Sequence, residues 1–175
     1  MTEFEWPWQY SFPPFFTLQP NADVRKTQLD AWCSLVLGWA RKNNVGQIDV
    51  TGATSMVVFR NDSISRALPA DGIRVVLDEL AKRGNLEWTD KTKRRGYIFW
   101  RSVREWGQQI YQWAQDTSRM NTVCTLFEIN QGDETAGQEF HGLDGDILIK
   151  ALRALEVAGK AELMDFGDNQ GVKFL

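Results

Sequence analysis

Residues 73–100 read IRVVLDELAKRGNLEWTDKTKRRGYIFW, and residues 148–175 read LIKALRALEVAGKAELMDFGDNQGVKFL. Laid over one another with a shift of 75 and no gap, Leu77 meets Leu152, Leu80 meets Leu155, Gly84 meets Gly159, Glu87 meets Glu162, Asp90 meets Asp165, Gly96 meets Gly171 and Phe99 meets Phe174. Seven identities in 28 positions is a modest score; their placement carries more weight. They fall on an apolar stripe, a helix stop, a turn and a returning strand, which is how a repeated supersecondary unit shows itself. In the first copy Ile73, Val76, Leu77 and Leu80 recur at helical spacing, Pro69 opens the helix with Asp71 in its first turn, and Gly84 closes it. Leu86–Trp88 and Tyr97–Trp100 then read as a hairpin around the polar turn Asp90 to Gly96. In the second copy Ile147, Leu148, Ala151, Leu152 and Leu155 form the stripe and Gly159 the stop. Strands follow at 161–164 and 172–175, around a turn from Phe166 to Gly171 that includes Asp168.

Outward from this core the repeat continues. A shift of 74 lays Trp32, Val36, Trp39 and Ala40 on Trp106, Ile110, Trp113 and Ala114. These sit in helices predicted at 23–42, behind an N-cap region at Asn21-Ala22-Asp23, and at 103–117. Asn43 to Gly46 stops the first. Ile48–Val50 reads as a short strand, Val123–Ile129 as a strand or short helix, and Asn130–Gln138 as an acidic, glycine-bearing loop. Residues 52–68 contain the apolar run Met56–Phe59 but no decisive period. Each half therefore runs helix, short strand or turn, unclear middle, helix, strand, turn, strand, which is the winged-helix plan. The expected fold is α+β, mostly α, with winged-helix domains at 21–101 and 102–175 after an extended segment at 1–20. Modules of about 75 residues are large enough to fold, since domains of about 55–65 residues do so alone.

That leading segment is the one part the repeat leaves over. Between Phe4 and Phe16, seven of thirteen residues are aromatic and three are proline. Pro7, Pro13 and Pro14 lock φ, remove backbone donors and exclude a regular helix; the residues before them are pushed to extended or polyproline geometry. Seven rings left in water would be costly at about 2–3 kcal/mol each, so they must lie on something. Either they strap the chain's own first domain, or they dock another protein, or they serve a polyproline-binding module.

Composition narrows the function classes. With 43% apolar and 25% charged residues in 175, the chain is ordinary for a globular protein. A net charge of −3 argues against general nucleic-acid binding, which needs clustered Lys and Arg. The helices that would enter a DNA groove carry Asp71, Arg74, Asp78, Glu79, Lys82 and Arg83 in one half, and Asp144, Asp146, Lys150, Arg153 and Glu156 in the other. These are mixed or acidic faces, leaving a nucleic-acid-binding tandem winged helix as the alternative reading. Lys91, Lys93, Arg94 and Arg95 form a basic run in the first wing, read first as a solvated hairpin tip and second as a contact for an acidic partner or membrane. Cys33 and Cys124 lie in apolar runs and read as reduced core thiols. No stretch is apolar enough for a membrane span, the aromatic start is no signal peptide, and a cytosolic location is expected. His141 with two distant cysteines gives no metal-ligand spacing, and no phosphate-binding glycine loop or nucleophile motif appears. The expectation is a non-enzymatic protein with no cofactor.

The motifs also carry a resemblance. Phe4-Glu5-Trp6-Pro7-Trp8-Gln9-Tyr10, Phe12-Pro13-Pro14-Phe15-Phe16-Thr17-Leu18-Gln19-Pro20, Ala31–Leu37, Gly84–Trp88, Glu105-Trp106-Gly107, Ile110–Trp113, Glu139–Asp144 and Gly171–Phe174 resemble, over essentially the whole chain, the vacuolar protein sorting-associated protein 25 family, small subunits of ESCRT-II. The resemblance implies two tandem winged helices, no enzymatic activity, and two copies joined to the two larger winged-helix subunits of a cytosolic complex. That complex is recruited peripherally to endosomal membranes and sorts ubiquitinated cargo into multivesicular bodies. It further implies that Pro-Pro-x-Tyr-like motifs dock onto the larger subunits. Here the matching residues are Pro13, Pro14, Phe15 and Phe16, with a phenyl ring in place of the phenol, and Trp6, Pro7 and Trp8 just upstream join the expected docking set. The second domain is expected to capture the N-terminal helix of an ESCRT-III subunit, with Phe127, His141 and Asp144 as candidate contacts.

Overall fold

The computed structural model describes residues 3–167 and 169–175. The chain forms two compact units, one ending at Trp100 and the other running Arg101–Leu175.

The first unit begins with α1, Ala22–Asn43. The Asn21 side chain accepts the N–H groups of Asp23 and Val24, satisfying two of the donors a helix start leaves open. Asn44 ends it in the left-handed region at φ 52°, a conformation asparagine tolerates better than most residues. Then come β1 (Gln47–Asp49), α2 (Val50–Ala53), β2 (Arg60–Asn61), β3 (Arg66–Ala67), α3 (Ala70–Lys82), β4 (Leu86–Trp88) and β5 (Arg95–Ile98). The main sheet is antiparallel in the order β1-β5-β4, and β2-β3 is a separate small hairpin. Trp32, Val36 and Ala40 of α1 meet Ile73, Val76, Leu77 and Leu80 of α3 in one core with Ile48, Leu86 and Ile98 of the sheet. The region 52–68, unreadable by period, places Val58 and Phe59 in that core. Its elements are two to four residues long, too short to display a period.

The second unit repeats the order without the β2-β3 hairpin: α4 (Val103–Asp116), β6 (Val123–Thr125), α5 (Leu126–Gln131), α6 (Gly145–Val157), β7 (Ala161–Asp165) and β8 (Gln170–Phe174), with sheet order β6-β8-β7. The stretch 123–129, read as strand or helix, is both in succession. The acidic loop holds a 3-10 turn at Asp133–Thr135 that buries Thr135. Both units are winged helices.

The 74-residue shift holds at atomic level: Ala40 accepts the N–H of Val45 and Ala114 that of Arg119, each at 2.8 Å. The ungapped 75-residue shift does not survive the wing. Leu86 pairs with Ile98, whereas Ala161 pairs with Phe174. The first partners differ by 75 and the second by 76, so the second hairpin is one residue longer. The structural counterpart of Phe174 is Ile98, not Phe99, and that of Gly96 is Val172, not Gly171. Those two sequence identities are therefore out of register, while the helix matches stand. The returning strands also begin two residues earlier than periodicity suggests, because Arg95 and Gln170 are polar but already paired. Asp168 of the second turn lies outside the described residues; beside it, the Phe166 N–H donates to the Asn169 carbonyl at 2.7 Å.

Candidate functional site

The N-terminal segment is not extended throughout. It makes two 3-10 turns, Trp8–Ser11 and Pro13–Phe16. Pro13 and Pro14 occupy the opening positions of the second turn, where a fixed φ fits and the missing N–H costs nothing. This geometry sorts the rings onto two sides.

One side faces inward. Tyr10, Phe15 and Phe16 are core residues. The Phe15 ring stacks on Trp32 at 4.2 Å, and Phe16 meets Trp32 edge-on at 5.5 Å and Tyr10 at 5.9 Å. Trp32 Nε1 donates to the Phe15 carbonyl at 3.0 Å, and Gln28 Nε2 to the carbonyls of Phe15 and Thr17 at 3.0 and 2.9 Å. Gln28 Oε1 accepts from the Gln19 N–H at 3.0 Å. One buried amide thus answers the backbone of the strap that would otherwise be desolvated without partners. Further on, the Tyr10 hydroxyl lies 2.5 Å from the Val57 carbonyl and 2.8 Å from that of Arg60, and Asn61 Nδ2 donates to the Tyr10 carbonyl at 2.7 Å. Burial, reinforced by the Asp62 charge, raises the Tyr10 phenol above its usual range. Phe15 and Phe16, expected to present their rings to a partner, are spent in the chain's own core.

The other side faces outward. Trp8 is 70% exposed and Phe12 46%, their rings 5.6 Å apart. With Pro14 they border an apolar cavity of about 570 Å³ whose far wall is Val24, Gln28 and Ala31 of α1. Pro13 is exposed and Pro7 half-buried; Trp6, a third exposed, stacks on Tyr10 at 4.0 Å. Gln28, Trp32 and Asn61, which fix this split, were not singled out from the sequence as holding the segment. A lone glutamine on the apolar face of a predicted helix was the available signal.

In the second unit the three expected contacts separate. Phe127 on α5 is 67% exposed. Asp144 caps α6, its Oδ1 accepting the N–H groups of Asp146 and Ile147. His141 Nδ1 is hydrogen-bonded to the buried Thr135 hydroxyl at 2.9 Å, which fastens the loop leading into α6. Sequence reading missed Val123 and Phe166, both exposed. The Phe166 ring lies over Gly171, where an added Cβ would stand 3.2 Å from that ring and from the Val123 side chain. Phe127 is exposed on the helix that directly follows the strand carrying Val123.

The charged groups are largely compensated. In the basic wing Lys93 pairs with Asp78 at 3.0 Å and Arg95 with Asp49 at 3.3 Å. The Asp49 carboxyl is held below its usual range, first by the Thr51 N–H and then by Arg95. At the C-terminal cap of α3, Arg83 pairs with Asp30 and, at 3.1 Å, with Glu79. Among the described residues no cluster of His, Cys, Asp and Glu is placed to hold a metal ion, and no helix is long and apolar enough to cross a membrane.

A family profile described as ESCRT-II complex subunit matches residues 9–144. The chain is 52% identical to vacuolar protein-sorting-associated protein 25 of Danio rerio, over 98% of both chains. It is 50% identical to the Homo sapiens protein of that name, over 98% of this chain and 97% of the other, and 38% to that of Drosophila melanogaster, over 99% of both. Among solved structures, the crystal structure of subunit VPS25 of the endosomal trafficking complex ESCRT-II superposes with a TM-score of 0.86 at 27% identity, over 98% of this chain and 99% of that one. A chain of the endosomal complex ESCRT-II (VPS22/VPS25/VPS36) gives 0.82 at 28% identity, over 97% and 98%.

Proposed function

The chain belongs to the ESCRT-II complex subunit family, and we propose that it is the small scaffold subunit of that complex, working by docking and not by catalysis. Its partners on one side are the two larger winged-helix subunits, VPS22 and VPS36 in the solved complex, with two copies of this chain per complex. On the other side the second unit captures the N-terminal helix of an ESCRT-III subunit. The complex so built acts peripherally at endosomal membranes in sorting ubiquitinated cargo.

The observation that carries the first contact is the split of the N-terminal segment. Tyr10, Phe15 and Phe16 anchor it, Trp8, Phe12 and Pro14 are held outward beside an apolar cavity, and Pro13 is exposed next to them. Anchoring prepays the ordering entropy of the docking face, and tryptophan is a frequent energetic centre of such contacts. For the second contact, Phe127 is available on α5, whereas His141 and Asp144 act as positioning residues for the α6 entry.

Co-purification with the two larger subunits tests this, read by size exclusion with light scattering. Removing residues 1–20 would be a poor test, since it strips three rings from the core. The double variant Trp8→Ala, Phe12→Ala leaves the anchors in place and is expected to stay folded but lose the larger subunits. Full assembly by that variant would move the docking surface elsewhere. Phe127→Asp is expected to keep the larger subunits and lose the ESCRT-III helix; unchanged capture would remove Phe127 from the contact.

A further inference from the structure

The seam between the first and third helices is closed in one unit and open in the other. Shifts of 74 for α1 onto α4 and 75 for α3 onto α6 lay Asp30, Cys33, Glu79 and Arg83 on Arg104, Gly107, Ala154 and Ala158. In the first unit Arg83 reaches across the seam, pairing with Asp30 of α1 and with Glu79 of its own helix. Cys33 lies buried beneath, and all three charges act on it. In the second unit the three residues of this clasp and the cysteine beneath it are all replaced, and the position of Asp30 carries a cation.

The consequence is a groove of about 390 Å³ between α4 and α6. At its floor Gly107 lets the helices approach: an added Cβ would stand 3.1 Å from the Ala151 carbonyl oxygen. Above it Ala154 and Ala158 leave open the space that a glutamate and an arginine fill in the first unit. Val157, where the first unit has Lys82, is 90% exposed at the lip. Arg104 stands at the rim with no carboxylate paired to it among the described residues, and Lys160 lies at the end, its Nζ 5.2 Å from the Tyr111 ring centre. An apolar floor with an uncompensated cationic rim is complementary to an apolar side chain flanked by carboxylate.

We propose that this groove docks a short amphipathic helix of a partner protein, carrying a carboxylate beside an apolar side chain. The carboxylate pairs with Arg104 as Asp30 pairs with Arg83, and the apolar side chain covers Ala154, Val157 and Ala158. The partner supplies from outside the closure that the first unit makes for itself. The groove lies on α4 and α6 and does not involve Phe127, so the inference stands or falls apart from the ESCRT-III contact above.

The test uses the full chain, labelled with nitrogen-15, and two designed peptides of about 16 residues, enough for four helical turns. They share one leucine-alanine face and differ only in a polar face of Glu or of Lys. The Glu peptide is expected to shift the amides of Gly107, Gln108, Val157 and Ala158. Arg104→Glu is expected to weaken it about tenfold or more, as losing one partner of an interfacial charge pair does, and to favour the Lys peptide instead. Installing the first unit's clasp with Arg104→Asp, Ala154→Glu and Ala158→Arg should abolish binding. Should that triple variant fail to fold, the charge swap at Arg104 decides alone. Equal binding of both peptides, shifts confined to Val123, Phe127 and Phe166, binding by the folded closed-seam variant, or light scattering showing that Val157 pairs two copies of this chain would each overturn the proposal.

Discussion

The first winged helix is finished and the second is not. Apart from the β2-β3 hairpin, found in the first alone among the described residues, both run through the same elements in the same sheet order, and both place a tryptophan of the first helix in the core, Trp32 and Trp106. Yet α1 is 22 residues long and α4 is 14. The extra turns at the start of α1 carry Gln28, which holds the aromatic strap, and a clasp of Arg83, Asp30 and Glu79 closes the seam to α3. The second unit has a shorter helix, an open seam and exposed side chains at Val123, Phe127, Val157 and Phe166. The first module spends the positions along its seam on itself. Its twin leaves the matching positions open, and a repeat that keeps the core while diverging outside it leaves function to be argued from each copy's own surface.

The largest expected effect breaks the comparison at its centre. Trp32→Ala removes the stacking partner of Phe15, the edge contact of Phe16 and the indole donor to the Phe15 carbonyl. Large-to-small changes of an aromatic core residue cost about 3–5 kcal/mol, and here the strap goes too, so the loss should lie at the upper end. Trp106→Ala should cost less, because the aromatic strap rests on Trp32. Urea unfolding by circular dichroism, with limited proteolysis of residues 1–20, reads both. A larger cost for Trp106→Ala, or a protease-resistant strap in Trp32→Ala, would show that the strap is not part of the core.

A smaller effect sharpens the same point. Tyr10→Phe keeps the ring and its contacts but leaves the Val57 and Arg60 carbonyls without the phenol proton. These bonds are only part-buried, so the loss should be that of an ordinary hydrogen bond, about 0.5–1.5 kcal/mol, read by thermal unfolding. No change would mean that the strap is held by ring packing alone.

These predictions also mark what was legible beforehand. The helices, their stops and the winged-helix order could be read because apolar spacing and glycine positions are local signals. Gly84 and Gly159, both at positive φ, stop α3 and α6 where the chain says they should. The register of the wing could not be read, because one added residue in a turn leaves composition unchanged and Gly96 and Gly171 match by coincidence. The inward and outward faces of the N-terminal segment were hidden for a different reason. Which ring is buried there depends on Gln28, Trp32 and Asn61, 13 to 51 residues away in sequence. The open seam was present in the repeat alignment, but as substitutions, and a search for identities passes over them.

A weaker perturbation bears on the clasp. Arg83 is about one-third exposed and its acids are solvated, so the pairs lie in the range of about 0.2–1 kcal/mol for surface ion pairs. Arg83→Ala should cost no more than that, and less still at about 1 M salt, where the screening length falls to about 3 Å. A double-mutant cycle with Asp30→Ala gives the coupling. A coupling near zero would leave the clasp as a cover for the seam and not a stabiliser.

The smallest effect concerns what lies under the clasp. Burial pushes the Cys33 thiol up to about 11, with Arg83 pulling it down and Glu79 and Asp30 adding to the rise. A folded pKa above the unfolded one means that the folded state holds its proton longer. The corresponding stability is complete below about pH 9, where thiols are protonated in both states, and is lost as pH rises through about 11. Cys124 in the second unit is also raised by burial, but there Arg119 hydrogen-bonds the sulfur and opposes the shift. Stability measured from pH 8 to 11 should therefore fall less steeply in Cys33→Ala than in Cys124→Ala. Arg83→Ala, which removes the opposing cation, should slow alkylation of Cys33 at pH 9 if its charge is felt, and speed it if its main effect is to cover the sulfur. The direction of that change separates the clasp as an electrostatic device from the clasp as a lid, a distinction that the open seam of the second unit cannot make.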